Sequence, residues 1–241
     1  MHVTIGGACA MNIHGKNNFA AGSFGEHVRR FVLLTPEGKL LECDRQRNAE
    51  VFHAAIGGFG MLGVFVEIEL KLKRVHSGRL AVRGIQTKDL DANLDYLERE
   101  QTRADYLVGW LDAYGRGSGL GRGLIHDADQ YAAGADPDGE AMLRPELQDV
   151  PDRLFGVVPK GFIWPGMWCA VKAGTTGFVN AAKFRAGRRE ERAGAYPQTH
   201  GAFHFLLDYV PNWKWAYGRT KKRGLIQYQA FVPNETALRT Y

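Results

Sequence analysis

Thr4-Ile-Gly-Gly-Ala-Cys-Ala-Met-Asn-Ile-His-Gly-Lys-Asn-Asn18 is followed, three residues on, by Gly22-Ser-Phe-Gly-Glu-His-Val28. Paired glycines let a backbone approach a ligand where a Cβ would collide, and the small residues after them thin the wall beside it. The opening Met1-His-Val-Thr-Ile reads as strand-like. In an extended segment His14 and Lys16 point the same way. A histidine beside an ammonium can bind an anion or stabilise developing negative charge. A lone histidine is more often a structural residue, but glycine turns on both sides and the adjacent Asn17 and Asn18 favour a site. The first thirty residues therefore read as a cofactor cradle.

Working outward, residues 30–34 and 39–43 read as the two strands of a hairpin, with Thr35-Pro-Glu-Gly38 as its turn. Asn48 is placed to cap a helix through Ile56. From Gly63 to Lys73, Val64, Val66, Ile68, Leu70 and Leu72 fall on one side and mostly Glu and Lys on the other. That alternation predicts a long half-buried strand. Gly58-Phe-Gly-Met-Leu-Gly63 matches G-x-G-x-x-G, but the dinucleotide fingerprint follows a strand and opens a helix. Here the helix comes first and the strand after. The glycines serve either a backbone passing close to something flat or a tight turn, and the residues alone do not separate the two.

A second region begins near His76. Leu80 to Ile85 reads as a strand, and Lys88 to Gln101 as a helix with Leu90, Leu94 and Leu97 at helical spacing. Tyr106 to Ala113 is a strand carrying Trp110. Gly115 to Gly123 is a glycine-rich turn into another short strand, and residues 127–152 form an acidic, irregular excursion. Phe203 to Tyr209 and Gly224 to Val232 are expected strands. In the last, Gln227 and Gln229 share one face. Two amides there either lie in solvent or hydrogen-bond a polyol or cofactor edge. Strands outnumber helices, and helices interrupt them irregularly. This pattern argues an α+β fold with a boundary near residue 75.

At 241 residues there is room for one large domain or two modest ones. No apolar run of about 18 residues predicts a membrane span, and the start has no signal-peptide pattern. Cys9, Cys43 and Cys169 are odd in number and far apart, which argues against a disulfide framework and fits a reducing compartment. His200 and His204 are four apart, but their surroundings read as strand, so no metal is expected. The net charge of +5 is concentrated in Arg185–Arg192 and Arg219–Arg223. Solvated surface is the simpler account of each run; an anionic substrate or membrane surface is the functional one. Nucleic acid is not expected, because no recognised binding motif surrounds them. The abrupt start and end suggest an internal piece of a longer protein.

Four motifs occur in order: Thr4-Ile-Gly-Gly…Ile-His-Gly-Lys-Asn17, Gly22-Ser-Phe-Gly…His-Val28, Gly57-Gly-Phe-Gly-Met-Leu-Gly63 and Trp213-x-x-x-Tyr-Gly…Gly-Leu-Ile-Gln-Tyr-Gln229. Together they resemble FAD-linked (PCMH-type) oxidoreductases of the vanillyl-alcohol-oxidase superfamily, and within it the decaprenylphosphoryl-ribose 2-oxidase-like group. The resemblance is strong through residue 75, thin from 76 to 200 and strong again from 203 to 233.

That resemblance implies an α+β fold with residues 1–75 as the second FAD-binding subdomain. Residues 76–241 would be an antiparallel-sheet substrate-cap domain, incomplete at its C-terminus. FAD would be lined by Thr4, Ile5, Gly6, Gly7, Met11, Asn12, Ile13 and His14, and met at its adenosine end by the backbone of Gly63, Val64 and Phe65. By the same resemblance His14, Lys16 and Gln227 are catalytic, and Lys16, Trp110, Gln227 and Gln229 bind substrate. The implied reaction oxidises a secondary alcohol on a sugar-like substrate, and a lipid-phosphate-linked sugar would make sense of the basic clusters. Hydride passes to flavin N5 while a base takes the hydroxyl proton, and the residues leave the electron acceptor open. The expected location is cytoplasmic, with peripheral membrane contact. The family's first FAD subdomain, and an active-site cysteine and lysine from the end of its cap, have no counterpart in these residues. Two alternatives stand beside this reading. One is an aldonolactone oxidase or sterol-type reductase of the same superfamily; the other is a non-catalytic module that binds through its cap sheet and basic patches.

Overall fold

The computed structural model describes residues 3–115, 117–149, 152–154, 157–170, 175–204, 212, 214–216, 218 and 229–240. The chain divides into two compact units, His2–Arg74 and Val75–Tyr241.

The first unit is built on an antiparallel sheet of order β2-β1-β3, with β1 Val28–Leu34, β2 Leu40–Asp44 and β3 Val64–Leu70. The expected hairpin forms, and Gly38 supplies its turn at φ 78°. Val28, Phe31, Leu33 and Cys43 of the sheet pack against Cys9 of helix α1 (Ile5–Ala10) and against Phe52 and Ala55 of helix α3 (Ala49–Ala55). Phe31 stacks on Phe52 at 5.3 Å and meets the edge of Phe65 at 4.9 Å. Fully burying side chains of this size stabilises by about 1.5–3 kcal/mol each.

Three details differ from the sequence expectation. The opening motif is helical rather than extended: Thr4 Oγ1 accepts the Gly7 N–H at 3.1 Å and caps α1, whose Ala8 and Cys9 are buried. Asn48 does stand at the N-cap of α3, but at a left-handed φ of 49°, and its amide donates to the Glu42 carbonyl at 2.8 Å instead of capping. Strict alternation also fails in β3. Leu33 pairs with Phe65 and Val32 with Glu67, which leaves Val66 as the extra residue of a β-bulge. One inserted residue exchanges the faces on either side of it. Phe65 and Ile68 therefore pack on the core, while Val64 is 65% exposed. The strand ends at Leu70, short of Lys73.

The second unit holds an antiparallel sheet of order β5-β6-β4-β9: β4 Arg79–Thr87, β5 Tyr106–Leu111, β6 Gly123–Gln130 and β9 Tyr196–Thr199. Helix α4 (Leu90–Glu100) lies on one face, over Ile85, Leu107 and Ile125, and Asp89 caps it by accepting the Ala92 N–H at 2.9 Å. Helices α6 (Thr176–Ala193) and α7 (His200–Phe203) lie on the other face, where Leu80, Val82 and Ala128 pack under Phe203. The remaining regular structure among the described residues includes α2 (Asn18–Ala21) in the first unit. The second adds a two-residue ladder of β7 (Arg153–Leu154) with β8 (Val158–Pro159), α5 (Trp164–Ala170) and α8 (Asn234–Thr240).

Asp127 and Asp129 belong to β6 and not to an irregular excursion. Asp127 is fully buried and accepts from Arg83 Nη2 at 2.8 Å, from Tyr96 Oη at 2.8 Å and from Arg103. Where a strand was expected from Phe203, the chain makes the helical turn α7, capped by Thr199 Oγ1 on the Ala202 N–H at 3.1 Å. Gln229–Pro233 carry no regular structure, and none of the described strands pairs with them. Residues 205–209 and 224–228 of the expected strands lie outside the described residues. No helix among the described residues is long and apolar enough to cross a membrane.

Candidate flavin and substrate site

Three glycine-rich stretches, far apart in sequence, meet around Asn12 in the first unit. Asn12 leaves α1 in a left-handed turn, at φ 44°. Its side-chain oxygen accepts the Gly25 N–H at 2.8 Å, and Phe24 N–H donates to the Ile13 carbonyl at 2.8 Å. From the third stretch, Gly57 N–H donates to Cys9 O at 3.1 Å and Phe59 N–H to Ala10 O at 2.9 Å. So the 57–63 loop is tied to the end of α1, and the 22–25 turn to the residues just after it.

The glycines here have different reasons. At Gly63, φ is 148° and an added Cβ would fall on the Leu34 carbonyl, so internal packing requires glycine. At Gly6 an added Cβ would meet nothing within 4 Å. The unit's own packing leaves room there for a Cβ. Around these backbones Ile5, Met11 and Ile13 are exposed, as are Phe59 (70%) and Met61 (82%). Exposed apolar side chains grouped with bare backbone suit a flat ring system with polar edges.

His14 is exposed and lies in the irregular segment after Asn12; Lys16 lies in the turn that enters α2. No strand runs through residues 14–16, so period-two alternation does not apply to these two side chains. Burial lowers the pKa of the Lys16 ammonium. Cys9, behind α1, has its thiol pushed up to about 11 by burial, which suits a packing role and not a nucleophile.

In the second unit Trp110 of β5 is half-buried, with Lys183 Nζ 4.2 Å from its ring centroid. Burial lowers the Lys183 pKa, opposed by the Glu190 carboxylate. Nearby, Asp112 binds Arg122 through Nε at 3.0 Å and Nη2 at 2.8 Å, and accepts Asn180 Nδ2 of α6 at 2.8 Å. Burial pushes the Asp112 carboxyl up, and the hydrogen bonds from Asn180 and Arg122 outweigh it, leaving the pKa below its ordinary value. Gln229 is exposed; Gln227 lies outside the described residues. His200 and His204 do share one helical turn, both edge-on to Tyr106, at 6.3 and 5.9 Å. Among the described residues no group of three or more His, Cys, Asp or Glu could hold a metal ion. The sequence reading missed Phe59, Met61 and Lys183. Lys183 had no signal, because the sheet-facing side of α6 carries Asn180, Gly187 and Glu190 where an apolar stripe would have marked a helix.

The chain is a homologue of the FAD-binding PCMH-type oxidoreductases, a family of flavoproteins. It is similar to decaprenylphosphoryl-beta-D-ribose oxidase of Mycolicibacterium smegmatis, at 28% identity over 97% of this chain and 48% of that protein. It is also similar to cytokinin dehydrogenase 2 of Arabidopsis thaliana, at 31% identity over 46% of this chain and 23% of that protein. A third relative is L-gulonolactone oxidase of Bos taurus, at 38% identity over 29% of this chain and 16% of that protein. The chain spans about half the length, or less, of the curated relatives it matches. No protein-family model matches it.

Proposed function

We propose that this chain supplies flavin-facing and substrate-facing parts of an FAD-dependent oxidoreductase that oxidises a secondary alcohol on a sugar-like, lipid-phosphate-linked substrate. The observation that carries the reading is the meeting of three glycine stretches at Asn12, beside exposed apolar side chains and the open position at Gly6. FAD, when bound, supplies the hydride acceptor that no amino-acid side chain provides.

On this reading the residues of unit His2–Arg74 belong to the second FAD-binding subdomain, and those from Val75 onward to a substrate cap. Thr4 to Gly7 and Met11 to His14 hold the ring system, and the backbone of Gly63, Val64 and Phe65 meets the adenosine end. The Phe65 side chain is taken up by the core, so only its main chain is available. His14 accepts the proton of the reacting hydroxyl, and Lys16 stabilises the negative charge that develops on that oxygen. Trp110 offers the sugar an apolar face, with the Lys183 ammonium beside it for the phosphate. Gln227 and Gln229 hydrogen-bond the hydroxyls.

The test is an absorbance spectrum of the purified protein, followed by addition of sugar substrates without oxygen. A flavin band bleached by a sugar alcohol is expected. His14→Ala and Lys16→Met should each slow the bleaching by about 100-fold or more while leaving the band in place. Unchanged turnover would contradict these two roles. Bleaching by an aldonolactone alone would move the substrate to the alternative branch. A colourless protein that takes up no added FAD would overturn the oxidoreductase reading.

A further inference from the structure

The long helix α6 is packed on the sheet by one side. Gly187 sits directly on Leu124, and the Phe184 carbonyl accepts Gln86 Nε2 at 2.7 Å. Asn180 donates to Asp112 at 2.8 Å, and the Arg122 guanidinium lies 4.8 Å over the Phe184 ring. Both acids of the helix also turn toward the sheet: Glu190 Oε2 lies 3.2 Å from His126 Nε2, and Glu191 Oε1 accepts the Gln86 N–H at 3.4 Å.

At 100° per residue, the side opposite Gly187 carries Arg185, Arg188, Arg189 and Arg192, the i, i+3, i+4, i+7 stripe of one helical face. All four are exposed, and among the described residues none has an ion pair. Phe178, two turns N-terminal on the same stripe, is 75% exposed, and Val179 beside it is also exposed. Acids turned in and arginines turned out give an eighteen-residue helix whose outer face is cationic, with an apolar tip.

We propose that this outer face of α6 docks the protein on an anionic lipid surface. Four arginines on one straight stripe can all reach a plane at once, and each basic residue near an anionic bilayer multiplies partitioning roughly fivefold. Phe178 then enters the headgroup boundary, as the apolar residues of interfacial helices do. A nucleic acid fits less well, because the stripe has no row of aromatic rings on which bases could stack. The proposal does not depend on flavin binding: a protein without flavin would still dock, and a flavoenzyme need not.

The experiment is co-sedimentation of the protein with vesicles of phosphatidylcholine containing 30% phosphatidylglycerol, beside vesicles of phosphatidylcholine alone. The quadruple variant Arg185→Gln, Arg188→Gln, Arg189→Gln, Arg192→Gln and the single variant Phe178→Ser are run in parallel. These side chains point away from the sheet, so circular dichroism and melting should be unchanged. The expected result is binding to the anionic vesicles that weakens with salt, falls at least 100-fold in the quadruple variant and falls several-fold in Phe178→Ser. No binding to anionic vesicles, equal binding by the folded quadruple variant, or tighter binding to a single-stranded oligonucleotide than to vesicles would each overturn it.

Discussion

The two units place their polar and apolar residues in opposite ways. In the first, the ion pairs lie at the surface: Arg30 with Glu67 and Glu69, and Arg47 with Glu42. Its apolar Phe59, Met61 and Val64 stand exposed as well. In the second, carboxylates go inside. Asp127 is fully buried under two arginines and a tyrosine, and Asp112 is held by Arg122 and Asn180. Exposed ion pairs contribute little, so the first unit rests on a small core of phenylalanines and leaves much of its apolar surface uncovered. A buried, fully bonded carboxylate fixes geometry and is costly to break. The first unit thus offers a surface suited to a ligand, and the second a stiff sheet on which side chains are held in place.

The largest expected effect falls on the second unit. Asp127→Ala leaves Arg83, Arg103 and Tyr96 without their shared acceptor and should lower stability by about 3 kcal/mol, read by urea unfolding. Arg30→Ala, on the exposed pair of the first unit, should leave the unfolding curve unchanged. Equal losses from the two substitutions would erase the contrast between the units.

Next in size is Asn12→Ala, expected to cost the first unit about 2 kcal/mol. It strands the Gly25 N–H and puts alanine at a left-handed φ. Asn12→Gly keeps the backbone freedom and should recover part of the loss. A silent Asn12→Ala would show that the three glycine stretches do not depend on this residue to meet.

The smallest effect is a pH dependence in the second unit. His200 has its pKa lowered from 6.5, first by burial and then by the neighbouring His204, with a backbone hydrogen bond to Ser77 opposing. The folded state therefore resists a proton that the unfolded chain accepts. The stability contributed is full above about pH 6.5 and is lost as pH falls below it. Melting should drop modestly between pH 7.5 and 5.5, and His200→Phe, which keeps the ring against Tyr106, should flatten the drop. A steeper drop in the variant would reverse the sign.

Much of the scaffold was legible in the sequence. The Pro-Glu-Gly turn, the helix marked by Leu90, Leu94 and Leu97 and the strand at β4 follow from turn chemistry and period. The misses have physical causes. An inserted residue at Val66 is invisible to a period-two pattern, because both halves of β3 still alternate. Gly-Gly-Ala-Cys-Ala carries no period, so only the Thr4 cap marks α1. Helix α6 escaped because a glycine and polar residues face its sheet, and the stripe that shows is basic and outward. The three glycine stretches were legible one by one; that Asn12 is the point where they join was not, because hydrogen bonds between stretches over ten residues apart leave no local mark.

The most direct test of the central claim is a titration of FAD, followed by flavin fluorescence, into the protein and into Gly6→Leu. A Cβ at position 6 meets nothing within 4 Å, and leucine is a better helix former than glycine by roughly 0.5–1 kcal/mol, so the variant should melt no lower than the parent. If α1 lies against the flavin, affinity should fall at least tenfold in a variant that is as stable or more so. Equal affinity in the two proteins would contradict the placement of the cofactor on this face.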